Sequence, residues 1–363
     1  MTATIWRVRP IATAAHINAI GTAVPDNDIH PPFLAWAEER LASDVERTLF
    51  RRMARRSGIS HRWSILPKPG GMGSPVDPGG FYATDPFPPT SARMELYGRA
   101  APELALRAIA NLPEPPGTIS HLIVASCTGF VAPGVDQIIA QRLGLSPSVE
   151  RLLVGYMGCY AAVAALRSAR HIVRADPEAR VLAICVELSS LHLQPYDRIE
   201  ALLAALQFGD GAAAALVTAK PEGLRIDQPF SLTLPDSGEL IQWHIGDHGF
   251  SMHLSGEVPG RIAGALSEPE VRATLCPFGS GQVENWAVHA GGRSILDAVA
   301  HGLELGDHAL DDSRAVLDAF GNMSSSTLMF VLARMLDRHA QGRGVALAFG
   351  PGIAAEGFRF SRP

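Results

Sequence analysis

Short runs of β-branched and aliphatic residues alternate along the chain with longer alanine- and leucine-rich stretches. That is the pattern of buried strands covered by helices. The runs His121 to Ser126, Val181 to Val186, Ala213 to Val217, Trp286 to His289 and Val345 to Phe349 are punctuated by Gly, Pro or Ser and predict strands. Tyr160 to Arg174, Ser294 to Leu303 and Ser324 to Asp337 place apolar residues at three- and four-residue steps and predict helices that face a sheet. The last follows a Ser-rich entry able to cap it. An α/β fold is expected. Leu66 to Ser91, rich in Pro and Gly, predicts a long irregular loop, and Ala219 to Asp236 a soft region that could separate two halves. No short internal repeat is visible.

Composition narrows the function classes. The chain has 363 residues, 47% hydrophobic and 18% charged, with a formal net charge of -5. Disorder and a generally basic nucleic-acid binder are excluded. The four cysteines, Cys127, Cys159, Cys185 and Cys276, include no C-x-x-C pair. No zinc ribbon or disulfide lattice is signalled, and no metal site is expected. The amino-terminal MTATIWRVRPIATAAHINAI lacks an uninterrupted signal-peptide core. No run of about 18 apolar residues occurs, so a spanning helix is not expected. The reading is a cytoplasmic protein with no membrane span and no nucleic-acid partner.

Three residues could carry chemistry together. Cys159 follows a Gly-rich turn in VGYMGCYAAVAALR, at the start of an expected helix. Backbone N–H groups and the helix dipole there favour a thiolate, although an isolated cysteine reads equally as a small buried hydrophobe. His289 ends an expected strand before two glycines, and Asn322 lies in GNMSSS before a helix. Either could be a core or capping residue on its own. Together they offer a nucleophile, a proton partner and a donor for a developing anion.

Four blocks carry a resemblance: VGYMGCYAAVAALR, QFGDGAAAALV, HAGGRSILD, and GNMSSSTLMFVL followed by AFGPGIAAEGF. In order and separation they resemble the type III polyketide synthases, the chalcone and stilbene synthase family of the thiolase superfamily. The resemblance implies a five-layered αβαβα thiolase-like fold of two related halves, 1–220 with the nucleophilic cysteine and 221–363 with the catalytic His and Asn. It also implies a homodimer. Cys159 falls on the acyl-accepting nucleophile, and His289 and Asn322 on the pair that stabilises the thiolate and the enolate formed by decarboxylation. Phe208 matches a gatekeeper aromatic, and Met252 stands where plant members often carry a second gatekeeper phenylalanine. Cys127, Ser189, His192 and Ser324 fall near positions that shape the pocket, and Ala132 near one that reaches the neighbouring subunit.

The implied activity is condensation of an acyl-CoA starter with malonyl-CoA on a cysteine thioester, followed by closure to a pyrone or phenolic ring. Both are substrates, and no cofactor is expected. Coenzyme A calls for a positive entrance, and FRRMARRSGISHRW supplies Arg51, Arg52, Arg55, Arg56 and Arg62. Arg52 and Arg56 match positions that contact its phosphates. Two alternatives stay open at this point: a condensing enzyme like β-ketoacyl-acyl-carrier-protein synthase III, and a non-catalytic acyl-CoA-binding protein of the same fold.

Overall fold

The computed structural model describes residues 13–71 and 73–362. Most of the segment read above for an export signal, residues 1–12, lies outside them. The strands in chain order are β1 (Ala15–Ala23), β2 (Asn27–Asp28), β3 (Trp63–Ser64), β4 (His121–Ser126), β5 (Glu150–Gly155), β6 (Val181–Leu188), β7 (Asp210–Thr218), β8 (Leu224–Thr233), β9 (Ile241–Gly246), β10 (Gly249–Leu254), β11 (Asn285–Val288), β12 (Gly342–Gly350) and β13 (Ala354–Arg362). The helices are α1 (His30–Arg40), α2 (Asp44–Arg55), α3 (Thr90–Ala110), α4 (Val135–Arg142), α5 (Ala161–Ala175), α6 (Ile199–Ala205), α7 (Val258–Ser267), α8 (Pro269–Leu275), α9 (Arg293–Gly302), α10 (Asp311–Phe320) and α11 (Ser326–Asp337).

Nine strands join in one mixed sheet in the order β11-β12-β13-β8-β1-β7-β6-β4-β5. β4 runs parallel to β5 and β6, and β11 parallel to β12. The other pairs are antiparallel. Strand alternation sorts side chains between layers. Leu122 and Val124 pack with α3 and α4, while Ile123 and Ala125 pack with α5 and α11 on the opposite face. In the other half of the sheet, Val345 and Leu347 pack with α7 and α9, and Ala346 and Ala348 turn toward α5 and α11. The result is helix, sheet, helix, sheet, helix, the five-layered architecture. α5 suits the middle layer because Ala161 to Leu166 are all buried. Its first turn and a half is apolar all round and offers no solvent face, while the exposed His171 and Arg174 lie toward its carboxyl end.

The expected helices and strands form within a few residues of their expected ends. One expectation fails. Ala219 to Asp236 is not a soft, irregular stretch, because β8 fills most of it and pairs with both β1 and β13. Gln228, exposed at an alternate position, and Pro229 after it broke the series of buried positions Leu224, Ile226 and Phe230 in the sequence. The loop from Leu66 to Ser91 is irregular, with one short 3-10 turn at Pro69–Gly71. It folds inward: Leu66 and Tyr82 are buried, and the Tyr82 hydroxyl donates to the Ser190 carbonyl at 2.7 Å.

Candidate active site

Cys159 sits in the tight turn between β5 and α5. Gly158 has φ 82°, and a Cβ there would lie 2.3 Å from the Cδ of Pro351, so only glycine fits. The turn is held from two sides. The Gly158 N–H donates to Cys127 Sγ at 2.9 Å, and the Tyr156 hydroxyl donates to the Trp243 carbonyl at 2.7 Å. As a residue Cys159 is half-buried, with its sulfur turned inward. Burial pushes its thiol up to about 12. The Ser324 hydroxyl beside the sulfur pulls the other way, the Glu187 carboxylate adds to the rise, and the residue's own N–H and the Asn322 amide lower it. The resting group is therefore a thiol, which the expected helix-end effect alone does not overcome.

His289 follows the last residue of β11, and its N–H donates to the Leu347 carbonyl at 2.8 Å. Its side chain is 1% exposed, and neither ring nitrogen has a partner among the described residues. Burial pushes the imidazole down to about 3. Gly291 lies against the ring: a Cβ on it would stand 3.4 Å from the imidazole Cδ2. The Gly291 carbonyl accepts from Asn322 Nδ2 at 3.2 Å. The amide is fixed at its other end too, because Asn322 Oδ1 accepts the Ser324 N–H at 2.8 Å. Asn322 thus reaches the sulfur of Cys159 on one side and the Gly291 carbonyl beside His289 on the other. Three segments distant in sequence meet at this amide.

Glu187 is the site residue that motif reading missed. It is 0% exposed at the end of β6. One oxygen accepts from the Cys127 N–H at 3.0 Å and the Thr128 hydroxyl at 2.8 Å, and the other accepts from the Ser325 hydroxyl. It ties the end of β4 to the entry of α11. Burial raises its carboxyl to about 6. The signal was available: Glu187 is the one charged residue in the apolar run VLAICVEL.

An apolar cavity of about 80 Å³ lies beside this constellation, lined by four of the expected pocket residues, Ser189, His192, Phe208 and Met252. Phe208 forms its border with the site, since it bridges to Asn322 through the backbone. Cys159, His289 and Asn322 do not line it. Neither do two expected pocket residues. Cys127 is buried behind the wall with its sulfur on the Gly158 N–H, and Ser324 stands at the Cys159 sulfur. Trp243, which sequence reading passed over, lines the cavity and donates its indole N–H to the Cys127 carbonyl at 3.0 Å. His192 stacks on Phe250 at 4.2 Å, accepts the Phe250 N–H at Nδ1 and hydrogen-bonds through Nε2 to the Thr128 carbonyl. Its ring is therefore neutral, with the proton on Nε2, and burial pushes it down to about 3.

Of the basic patch, Arg52 and Arg56 are exposed at the carboxyl end of α2, with no carboxylate partner among the described residues. Arg51 is paired with Glu38 at 2.7 Å. Arg62 does not belong to the patch: it is 1% exposed, inside the protein. Arg56 lines a surface cleft with Ser57, Gln207 and Arg293, and the Gln207 carbonyl accepts the Asn322 N–H at 2.8 Å. That cleft therefore adjoins the site. No cluster of potential metal ligands occurs among the described residues, and none of their helices is long and apolar enough to cross a membrane.

Comparison with known proteins places these features. Residues 7–221 match the N-terminal domain of chalcone and stilbene synthases, and residues 226–361 match the C-terminal domain. The chain is 36% identical over 285 residues to the alpha-pyrone synthesis polyketide synthase-like Pks18 of Mycobacterium tuberculosis, covering 74% of this chain and 72% of that protein. The Mycobacterium bovis protein of the same name matches equally. The crystal structure of PKS-I from the brown alga Ectocarpus siliculosus superposes with a TM-score of 0.86 at 31% identity, over 98% of this chain and 100% of that one. The C-terminal type III polyketide synthase domain of Steely1 from Dictyostelium shares the fold, with a TM-score of 0.84 at 24% identity over 96% and 99% of the two chains.

Proposed function

The chain belongs to the chalcone and stilbene synthase family and is a type III polyketide synthase, and from that premise we propose how its own residues perform the condensation. Cys159 is the acyl carrier, His289 the proton partner, and Asn322 the second donor to the enolate. The observation that carries this reading is the buried imidazole of His289, with both nitrogens uncommitted, linked through Gly291 and Asn322 to Cys159, the one half-buried cysteine.

Burial favours the uncharged pair at rest, a thiol and a neutral imidazole. Moving the proton from sulfur to imidazole creates both charges within the site, where each compensates the other. The thiolate attacks the thioester carbonyl of the starter acyl-CoA, a carbon–sulfur bond to Cys159 forms, and the CoA thiolate leaves, taking up the proton from His289. Malonyl-CoA then loses carbon dioxide. The enolate oxygen accepts from a His289 N–H and from Asn322 Nδ2, whose orientation is set in advance by its bonds to Gly291 and Ser324. The enolate carbon attacks the Cys159 thioester carbonyl, the carbon–sulfur bond to Cys159 breaks, and the chain, longer by two carbons, departs as a CoA thioester while Cys159 returns as a thiolate. Extension past Phe208 into the apolar cavity precedes ring closure, and the name of the Mycobacterium relative supports an α-pyrone as the product.

Arg56, which lines the cleft beside Gln207, and Arg52, exposed one turn earlier on α2, hold the CoA phosphates. The polypeptide works as two halves, 1–220 and 221–363, and as a homodimer. β5 supports the dimer, because it is an edge strand whose Leu152 and Leu153 are 43% and 47% exposed, next to Phe130 at 45%. The four unpaired cysteines suit a reducing cytoplasm.

The test is incubation with malonyl-CoA and a series of acyl-CoA starters, with mass spectrometry of the products and of the intact protein. Wild type is expected to release pyrones and to show an acyl adduct at Cys159, and Cys159→Ala to show neither. Product formation by Cys159→Ala would overturn the assignment.

A further inference from the structure

The apolar cavity beside Phe208 contains two polar groups with unused hydrogen-bonding capacity. Arg62, 1% exposed, donates from Nε to His30 Nδ1 at 3.0 Å and from Nη1 to the Ala205 and Phe208 carbonyls at 3.1 and 2.9 Å. Its guanidinium carbon stands 4.5 Å from the centroid of Phe33. Its second amino group, Nη2, has no partner among the described residues. The hydroxyl of Ser74, a residue 4% exposed, has none either. Both residues line the same cavity, together with Phe33, Leu66 and Val76.

Nearby carboxylates favour the charge of Arg62 without meeting these donors. Asp77 accepts the Ser74 N–H at 2.7 Å and leaves the Ser74 hydroxyl unpartnered. Asp28 is engaged by His61 at 2.7 Å and by the N–H groups of His30 and Arg62, and Asp210 by Ser190 and the Ile65 N–H. Neither forms an ion pair with the guanidinium among the described residues. A buried guanidinium with a free edge and a buried hydroxyl with no partner are costly to leave unsatisfied, and a charged acceptor satisfies them best.

We propose that Arg62 and Ser74 form a carboxylate-binding end to the acyl cavity, so that this enzyme takes aliphatic chains ending in a carboxylate. One carboxylate oxygen meets Arg62 Nη2, the other meets the Ser74 hydroxyl, and the methylenes lie among Phe33, Leu66 and Val76. The cavity's volume of about 80 Å³, at about 10–15 Å³ per water-sized position, suits a chain of about six carbons. This inference rests on the synthase reading for its substrate, whereas the carboxylate site itself does not depend on turnover.

Two measurements test it. In titration calorimetry, wild type is expected to bind hexanoate about tenfold or more tighter than hexan-1-ol. Ser74→Ala narrows that gap, because it removes one donor, and leaves the melting temperature unchanged or raised, because it also removes an unpaired buried hydroxyl. Ser74→Ala carries the test, since Arg62 also supports the Ala205 and Phe208 carbonyls and its loss threatens folding. In turnover, adipyl-CoA is expected to exceed hexanoyl-CoA in kcat/KM, with the difference falling in Ser74→Ala. Equal binding of hexanoate and hexan-1-ol, or a gap unaltered by Ser74→Ala, overturns the proposal even where hexanoyl-CoA is a good starter. Ser74-dependent hexanoate binding without turnover of any starter upholds the carboxylate site and overturns the synthase reading instead.

Discussion

Burial and the Glu187 carboxylate act on the Cys159 thiol in the same direction, against ionisation, and Ser324 and Asn322 only partly offset them. Glu187, raised to about 6, is ionised at pH 7.5. Glu187→Gln keeps the shape and removes the charge, so the thiol ionises more readily and iodoacetamide is expected to modify Cys159 about two- to tenfold faster at that pH. Peptide mass spectrometry reads the rate, and a slower or unchanged rate would count against the charge effect. Cys159, His289 and Asn322 were legible in the sequence because each sits in a compact word of small residues. Glu187, Trp243 and Ser74 were not, because their roles arise from contacts across the fold. Trp243 matters through the Cys127 carbonyl, 116 positions away in the chain. Arg62 was misread for the same reason: a charge run in sequence does not show that its last member turns inward.

The element that positions the proposed nucleophile is the turn from β5 into α5. It depends on Gly158, which combines a φ of 82° with a close approach to the Pro351 ring. Gly158→Ala is expected to lower kcat more than about tenfold, because the added methyl must displace either the β5–α5 turn or the 350–352 loop. A lowered melting temperature should accompany it, and wild-type turnover in that variant would show that the turn tolerates displacement. Ala348 makes the opposite case. It is an ordinary extended position of β12 opposite Glu356, where alanine meets no such constraint. Helices and strands with a clean period were readable from sequence. β8 was hidden because Gln228 and Pro229 interrupt its alternation, and its place in the sheet comes from pairing with β1 and β13.

On the scale of the whole molecule, acid stability follows from three buried imidazoles. His289 and His192 are pushed down to about 3 and His30 to about 4, so below pH 6.5 the unfolded chain takes up protons that the folded one refuses. Glu187 and Asp210, both raised to about 6, oppose this by holding protons in the folded state. Three groups outweigh two, so the melting temperature is expected to fall as pH drops from 6.5 toward 5, and a flat or rising profile would contradict that balance. On the proposed homodimer, the edge at β5 yields a second expectation: Leu153→Asp gives a monomer in light scattering, and a dimer that survives this change does not use the edge. The strands β1 and β8 meet through three residue pairs, Ala15 with Ile226, His16 with Arg225 and Ile17 with Leu224, while α5 and α11 are buried among residues from both sides of that contact. A nick in the exposed Lys220–Glu222 turn therefore leaves the two pieces clamped together. Either piece made alone carries bare apolar helix and an open strand edge, so the fragments are recoverable only when produced as a pair.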